Sequence, residues 1–111
     1  MTSNPKLTIG MPVYNGELFI KKAIESILDQ TFTDFELIIS NNSSTDSTEK
    51  ICQDFIDKDN RIQIHTQKKN IGIHRNFNFL LSKAKGEYFA WAAVDDYLDN
   101  DFMEKNLKIL E

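Results

Sequence analysis

The chain has 111 residues, 41% of them hydrophobic and 27% charged, which is the composition of one ordinary globular domain. The formal net charge is −4, so no general basic field attracts nucleic acid or anionic lipid. The single cysteine, Cys52, excludes an intrachain disulfide and every zinc site built from several cysteines. The first residues lack the apolar core of a secretory signal, and the longest apolar run, Tyr88–Val94, is too short to cross a bilayer. We therefore expect a cytoplasmic domain.

The spacing of apolar residues alternates between strand-like and helix-like periods along the chain. In chain order it predicts a strand over Lys6–Met11, a helix over Leu18–Asp29, a strand over Phe35–Ser40, a helix over Ser47–Lys58, a brief strand around Ile62 and Ile64, a helix from Ile73 to Ala84, a strand over Glu87–Val94 and a helix over Phe102–Leu110.

Three local signals set the ends of these elements. Pro12 lacks an N–H and is expected to end the first strand. Gly86 suits a left-handed position after the third helix, and Asp99 or Asn100 suits the cap of the last helix.

Helix spacing also predicts which side chains are buried. We expect the core to include the helix residues Phe55, Phe77, Leu80 and Phe102, together with Trp91 on the fourth strand.

Strands that alternate with helices predict an α/β fold with three layers, in which a mainly parallel sheet is covered on both faces. Ligands bind such sheets beyond the carboxyl ends of the strands, where the strand order reverses. Function is therefore expected in four loops, 12–16, 41–46, 67–72 and 95–99, where the polar residues gather.

The glycine positions exclude several nucleotide-binding motifs. The only four glycines are Gly10, Gly16, Gly72 and Gly86, so neither G-x-G-x-x-G nor a phosphate-binding P-loop is present. The serine-nucleophile motif G-x-S-x-G is also absent. These absences disfavour dinucleotide-dependent redox chemistry and P-loop phosphoryl transfer.

Adjacent carboxylates directly follow the fourth strand, at Asp95 and Asp96. Such a pair at the edge of an apolar core is costly unless cations or hydrogen-bond donors meet it. Mg²⁺ or Mn²⁺ would bind one or two carboxylates and leave positions for phosphate oxygens. The alternative is that one aspartate caps the following turn and the other is solvated.

Three further residues have a binding and a structural interpretation. Tyr14 has a ring that could stack on a nucleobase, or that simply packs in its loop. Asn41 and its polar neighbours could meet a base edge, whereas Ser44 and Asp46 better suit helix capping. Arg75, at the start of the third helix, could meet phosphate or remain solvated.

Taken together in this order and spacing, these segments resemble family 2 glycosyltransferases with the GT-A fold. The resemblance covers nearly the whole chain and rests on Thr8–Gly16 (TIGMPVYNG), Asp29–Ile39 (DQTFTDFELII), Ser40–Thr48 (SNNSSTDST), Asn70–Gly72 with Arg75 and Asn76, and Ala84–Tyr88 leading into Asp95 and Asp96.

The resemblance implies metal-assisted transfer of a sugar from a nucleotide-diphosphate donor, commonly UDP-linked, to the hydroxyl of an acceptor saccharide or lipid-linked saccharide. It implies that Pro12, Tyr14 and Asn41 lie around the base, that Arg75 faces the donor, and that Asp95 and Asp96 hold ribose and a Mn²⁺ or Mg²⁺ ion. Inversion at the anomeric carbon, a role in polysaccharide synthesis and membrane association of the full-length protein are further implications.

Two positions differ from the common family pattern. Many members have Asp where this chain has Asn41, whose amide oxygen can still accept a hydrogen bond from the N3–H of uracil. Many also have an additional Asp at the position of Ala93, so which remaining carboxylate ligates the metal stays open.

The resemblance also implies a fold that continues past Glu111 into an acceptor-binding half with the catalytic base. We therefore expect residues 1–111 to be the donor-binding domain of a longer protein, and we expect that these residues alone do not transfer sugar efficiently. A homo-oligomer is an arrangement that the sequence leaves open. The alternative is a non-catalytic nucleotide-binding or protein-interaction module with the same fold. A nucleotidyltransferase is disfavoured because the first loop lacks a glycine-rich turn with arginine.

Overall fold

The computed structural model describes residues 4–95 and 103–104. The elements, in chain order, are β1 (Leu7–Val13), α1 (Ile20–Leu28), β2 (Phe35–Asn41), α2 (Thr48–Ile56), β3 (Ile62–Thr66), α3 (Ile73–Lys83) and β4 (Tyr88–Trp91). The helix expected over Phe102–Leu110, its cap and the burial of Phe102 lie outside the described residues, although 103 and 104 are helical. Among the described helices, none has both the length and the apolar character needed to cross a membrane.

The four strands form one parallel sheet in the order β3-β2-β1-β4. Leu7 of β1 is in register with Phe35 of β2 on one side and with Tyr88 of β4 on the other. The strand order therefore reverses beside β1, which confirms the expected α/β class and places the ligand-binding edge at the carboxyl ends of β1 and its neighbours.

Pro12 does not end the first strand, because β1 continues to Val13. The backbone of Val13 still accepts a hydrogen bond from Asn42 on the β2 side. On the β4 side the last bond runs from the N–H of Ala92 to the carbonyl of Gly10. Strand alternation turns the nitrogen of Pro12 to this second side. The missing N–H therefore interrupts pairing with β4 only, and pairing with β2 continues. β4 itself ends at Trp91 rather than at Val94.

The sheet has a different layer on each face. On one face Ile9, Met11, Leu37 and Ile39 pack in a single apolar cluster with the α1 residues Ile20, Ala23, Ile24 and Ile27. On the other face α3 packs against β1 and β2. Ile38 and Leu80 are fully buried but lie outside that cluster, and Ser40 of β2 bonds Asn76 of α3. Helices therefore cover both faces, as the sequence predicts.

Two residues expected in the core are not buried. Leu80 is fully buried and Phe55 is half-buried, but Phe77 is 37% and Trp91 is 45% exposed. The reason is geometric, because α3 turns Asn76 and Leu80 toward the sheet and leaves Phe77 on its flank. Trp91 is the last residue of an edge strand, so no described strand lies beyond it.

The prediction of a left-handed conformation at Gly86 is also wrong. A glycine is needed there because two backbone segments approach each other closely. A Cβ at Gly86 would lie 2.5 Å from the backbone nitrogen of Thr8. The glycine with positive φ is instead Gly72, at +87°, directly before α3. Gly86 thus lets the segment before β4 pass over the start of β1.

Candidate functional site

The loops that follow β1 and β2 are joined by hydrogen bonds at the carboxyl edge of the sheet. The N–H of Asn15 donates to the Ser44 hydroxyl at 2.9 Å, and the Asn15 side-chain oxygen accepts from the N–H of Thr45 at 2.8 Å. The N–H of Gly16 donates to the Thr48 hydroxyl at 2.9 Å. Because both ends of each loop are also anchored in strands and helices, the two loops form one rigid rim.

Asp46 sits at the centre of this rim. One carboxylate oxygen accepts from the Thr48 hydroxyl and N–H, and the other accepts from the N–H of Glu17 at 3.2 Å. Partial burial by itself would raise the pKa of Asp46, but the Thr48 and Glu17 hydrogen bonds outweigh it and lower the pKa. Asp46 therefore accepts hydrogen bonds at the start of α2, as predicted, whereas Ser44 contacts the loop after β1.

A second set of hydrogen bonds fixes the start of α3. The Asn42 side chain donates to Asn70 Oδ1 at 3.1 Å and accepts from the N–H of Ile71. Asn76 donates from its side chain to the carbonyl of Ser40 at 3.1 Å and accepts from the Ser40 hydroxyl. Both asparagines are almost fully buried, so these bonds hold α3 to the end of β2.

A small cavity of about 90 Å³ opens between the end of β1 and the start of α3. It is lined by Pro12, Val13, Tyr14, Asn42, Ile73, Asn76 and Phe77. Pro12 and Tyr14, both candidate base-binding residues, therefore line the same cavity. Tyr14 is 51% exposed, so its side chain is accessible to a flat ligand.

Asn41 directly precedes Asn42, which lines the cavity, and is itself almost completely buried. Its side-chain oxygen accepts from the N–H of Ser44 at 3.1 Å and from the Ser44 hydroxyl. Its amide nitrogen lies 3.5 Å from the Thr66 hydroxyl. To accept a hydrogen bond from a base, Asn41 would need the Ser44 hydroxyl to rotate away.

The remaining expected ligands, Arg75 and Asp95, border the same edge. Arg75 is exposed in the first turn of α3, one residue before the anchored Asn76. Asp95 is exposed and follows Val94, whose methyl lies 3.0 Å from the place a Cβ would take at Gly16. Asp95 is therefore next to the loop after β1, whereas Asp96 lies outside the described residues.

The described donor atoms at this edge show whether the residues there fit a metal ion. Across residues 4–95 and 103–104, no three His, Cys, Asp or Glu side chains cluster as a metal site. The exposed carboxylate of Asp95 nevertheless fits a hard cation, because Mg²⁺ and Mn²⁺ can use one or two carboxylates and take their other ligands from phosphate and water. The donor chemistry therefore fits an ion held jointly with a diphosphate.

Known proteins resemble this chain over almost its whole length. The family model described as glycosyl transferase family 2 matches residues 8–111. An uncharacterized glycosyltransferase from Haemophilus influenzae is 37% identical over 106 residues, which are 96% of this chain and 42% of that protein. Glycosyltransferase GlyA from Streptococcus pneumoniae is 33% identical over 104 residues, covering 94% of this chain and 15% of GlyA.

Solved structures share the fold. TarS 1–349 from Staphylococcus aureus in complex with UDP-GlcNAc superposes with a TM-score of 0.88 and 25% identity over 95% of this chain and 31% of TarS 1–349. A mannosyltransferase from Pyrobaculum calidifontis with GDP-Man and Mn²⁺ has a TM-score of 0.89 at 21% identity, over 98% of this chain and 33% of that structure.

The chain spans less than half the length of each of these relatives. Its parallel sheet, its strand order and the polar loops at its carboxyl edge agree with the match over residues 8–111. This chain therefore belongs to glycosyl transferase family 2.

Proposed function

We propose that residues 1–111 form the donor-binding part of a glycosyltransferase that uses a nucleotide-diphosphate sugar, with UDP as the nucleotide. The observation that carries the proposal is the rigid rim of two joined loops beside Tyr14, because it presents an exposed aromatic face at the edge where α/β sheets bind ligands. The UDP-GlcNAc complex of TarS, at 25% identity, supports UDP as the nucleotide.

Each site residue has a part in this proposal. Pro12 and Tyr14 form the wall against which the base stacks, and Asn41 contacts the base edge once the Ser44 hydroxyl has turned. Arg75 contacts the diphosphate from the first turn of α3. Asp95 contacts the ribose and, with Asp96, holds the divalent cation.

When bound, Mn²⁺ or Mg²⁺ supplies Lewis-acid stabilisation of charge on the diphosphate leaving group. The chain's own residues bind and orient the donor, so that its anomeric carbon faces the acceptor site. The acceptor hydroxyl then forms the new bond as the bond to phosphate breaks, with inversion, and its proton passes to a carboxylate base. We propose that this base and the acceptor site lie beyond the part matched here, since the relatives are more than twice as long.

Thermal unfolding with UDP and Mn²⁺ tests the proposal directly. At a hundred times the Kd, a ligand that binds only the folded state stabilises it by about 2.7 kcal/mol. We expect this shift in the wild-type chain and its loss in Asp95→Asn. Asp34→Asn, an exposed aspartate before β2 at the opposite edge of the sheet, is the matched control and should keep the shift. No metal-dependent shift in the wild-type chain would overturn the proposal.

A further inference from the structure

The rim contains the only Asn-Gly pair in the chain, formed by Asn15 and Gly16. In such a pair the backbone nitrogen of the glycine can attack the side-chain carbonyl carbon of the asparagine, because a glycine has no Cβ to hinder the approach. Asn15 is exposed, and within residues 4–95 and 103–104 its side-chain nitrogen has no hydrogen-bond partner. The nitrogen that such an attack expels is therefore free to leave as ammonia.

The reaction replaces one carbon–nitrogen bond with another. Resonance occupies the lone pair of a peptide nitrogen, so the nitrogen of Gly16 must give up its proton before it forms a bond to Cγ of Asn15. The bond from Cγ to the side-chain nitrogen then breaks, and that nitrogen leaves with the proton as ammonia. Water opens the resulting cyclic imide at either carbonyl, which gives aspartate or isoaspartate. In isoaspartate the backbone runs through Cγ and is longer by a methylene group.

The hydrogen bonds of the closed rim oppose both the loss of the proton and the closure of the ring. Gly16 is buried, and its N–H donates at 2.9 Å to the hydroxyl of Thr48, which is also fully buried. The Thr48 hydroxyl donates its own hydrogen to Asp46, so its oxygen is oriented to accept from Gly16. Ring closure must turn the Asn15 side chain toward its own backbone, but the N–H of Thr45 holds the Asn15 oxygen at 2.8 Å. Reaction therefore requires that these bonds open.

The backbone on the other side of Gly16 is held as well. The Gly16 carbonyl accepts from the N–H groups of Phe19 and Ile20, where α1 begins. A Cβ on Gly16 would lie 2.6 Å from a methyl of Val13, so the glycine is tightly packed. Tight packing leaves no space for the peptide to shift while the rim is closed.

We propose that Asn15 is a site of spontaneous, irreversible modification, that the closed rim suppresses the reaction, and that isoaspartate at this position separates the two loops. The added methylene group lies between the N–H of Asn15, which donates to Ser44, and the N–H of Gly16, which donates to Thr48. Both bonds cannot then form at once. The modification itself does not rest on the proposed function. Protection by UDP does rest on it, because a nucleotide bound beside Tyr14 favours the closed rim.

Peptide mapping by mass spectrometry after incubation in ¹⁸O-labelled water measures the modification, because product formed during the incubation takes up the label. The chain is incubated at mildly alkaline pH in three states: folded, folded with UDP and Mg²⁺, and unfolded in guanidinium chloride. We expect labelling of Asn15 to be at least about tenfold slower in the folded chain than in the unfolded chain, and slower again with UDP. Equal rates in the folded and unfolded chains would overturn the proposal.

Two neighbouring variants test whether the rim is the cause. Thr48→Val keeps the shape of the side chain but removes the acceptor of the Gly16 N–H, and we expect modification about fivefold faster in the folded variant. Ser47→Ala changes an exposed residue that makes no side-chain capping bond, and it should leave the rate unchanged. Slower modification in Thr48→Val would mean that its hydroxyl assists the reaction, which contradicts suppression. If Thr48→Val does not fold, the comparison of folded with unfolded wild-type chain decides.

The effect on the loops is measured by thermal unfolding of the chain before and after incubation. We expect isoaspartate to lower the unfolding midpoint in proportion to its amount, whereas Asn15→Asp should lower it less, because a carboxylate oxygen can still accept from Thr45. An unchanged midpoint in the modified chain would show that the loops stay joined and would contradict the proposal. If UDP fails to slow the labelling while the folded and unfolded rates still differ, the nucleotide site is wrong and the modification site stands.

Discussion

The side-chain oxygen of Asn42 accepts a 2.8 Å hydrogen bond from the backbone N–H of Ile71, 29 residues later in the chain. The same amide donates to Asn70 Oδ1 and, at 3.4 Å, to the carbonyl of Gly72. One buried side chain at the end of β2 thus fixes the turn from which α3 and Arg75 begin.

Substitution of Asn42 should therefore destabilise the fold. Asn42→Ala leaves the Ile71 N–H without its acceptor, although Asn70 Oδ1 still accepts from the N–H of Gly72. We expect a loss of about 2 kcal/mol in the free energy of unfolding, measured with urea. Asn42→Asp can still accept from Ile71 but turns a carboxylate oxygen toward two oxygen atoms. It should be at least as destabilising, and a neutral Asn42→Asp would contradict the described bonding.

Two non-glycine residues of the rim have positive φ, and their glycine variants should change stability in opposite directions. Ser43 has φ 64°, so Ser43→Gly removes a strain of about 1–2 kcal/mol. The added freedom of the unfolded chain offsets about 0.4–1 kcal/mol of this gain. Asn15 has φ 52°, but Asn15→Gly also deletes the acceptor of the Thr45 N–H. We expect a higher midpoint of thermal unfolding for Ser43→Gly and a lower one for Asn15→Gly.

The close contacts at Gly10 and Gly86 predict different responses to a compensating change. A Cβ at Gly10 would lie 2.5 Å from the end of the Phe89 ring, whereas one at Gly86 would lie 2.5 Å from backbone nitrogen. Each alanine variant should lose about 1–3 kcal/mol of stability in urea unfolding. Adding Phe89→Leu should recover part of the loss for Gly10→Ala and none for Gly86→Ala. Equal recovery in both would show that the contacts are not the cause.

The Asp46 carboxylate predicts a specific acid sensitivity of the rim. Because hydrogen bonds lower its pKa below the ordinary value of 3.8, its contribution to stability is present above the unfolded pKa and is lost as pH falls through the folded pKa. Urea unfolding measured from neutral into acid solution should show this loss in the wild-type chain. Asp46→Asn should have a shallower pH dependence across the same range, and an identical slope would refute the assignment.

The sequence predicts the elements well because their apolar periods are clear. Each predicted helix and strand that lies within the described residues is present, with ends that shift by up to three residues. The error at Pro12 arises because a missing N–H matters on only one side of a strand with two neighbours. Whether the proline faces β2 or β4 depends on strand order, which the local sequence does not contain.

The candidate site is less predictable because it too depends on contacts between distant parts of the chain. Pro12 and Tyr14 could be located from their loop, and both line the same cavity in the structure. The hydrogen bonds of Asn42 and Asn76 join residues 29 and 36 positions apart, and a single sequence holds no signal for such pairs. The sequence does not predict the exposure of Phe77 and Trp91, because helix and strand periods show which residues share a face and not whether another element covers that face.

The central claim is that UDP binds at the carboxyl edge of the sheet, and a nuclear magnetic resonance titration locates it directly. With ¹⁵N-labelled chain, UDP and Mg²⁺, a diamagnetic ion, we predict saturable shifts at the amides of Tyr14, Asn41, Arg75 and Asp95. The amides of Glu36 and Lys85, which lie at the amino edge where the Glu36 carboxylate accepts from the Lys85 N–H, should not move. Saturable shifts centred on that amino edge, or none anywhere, would contradict the account.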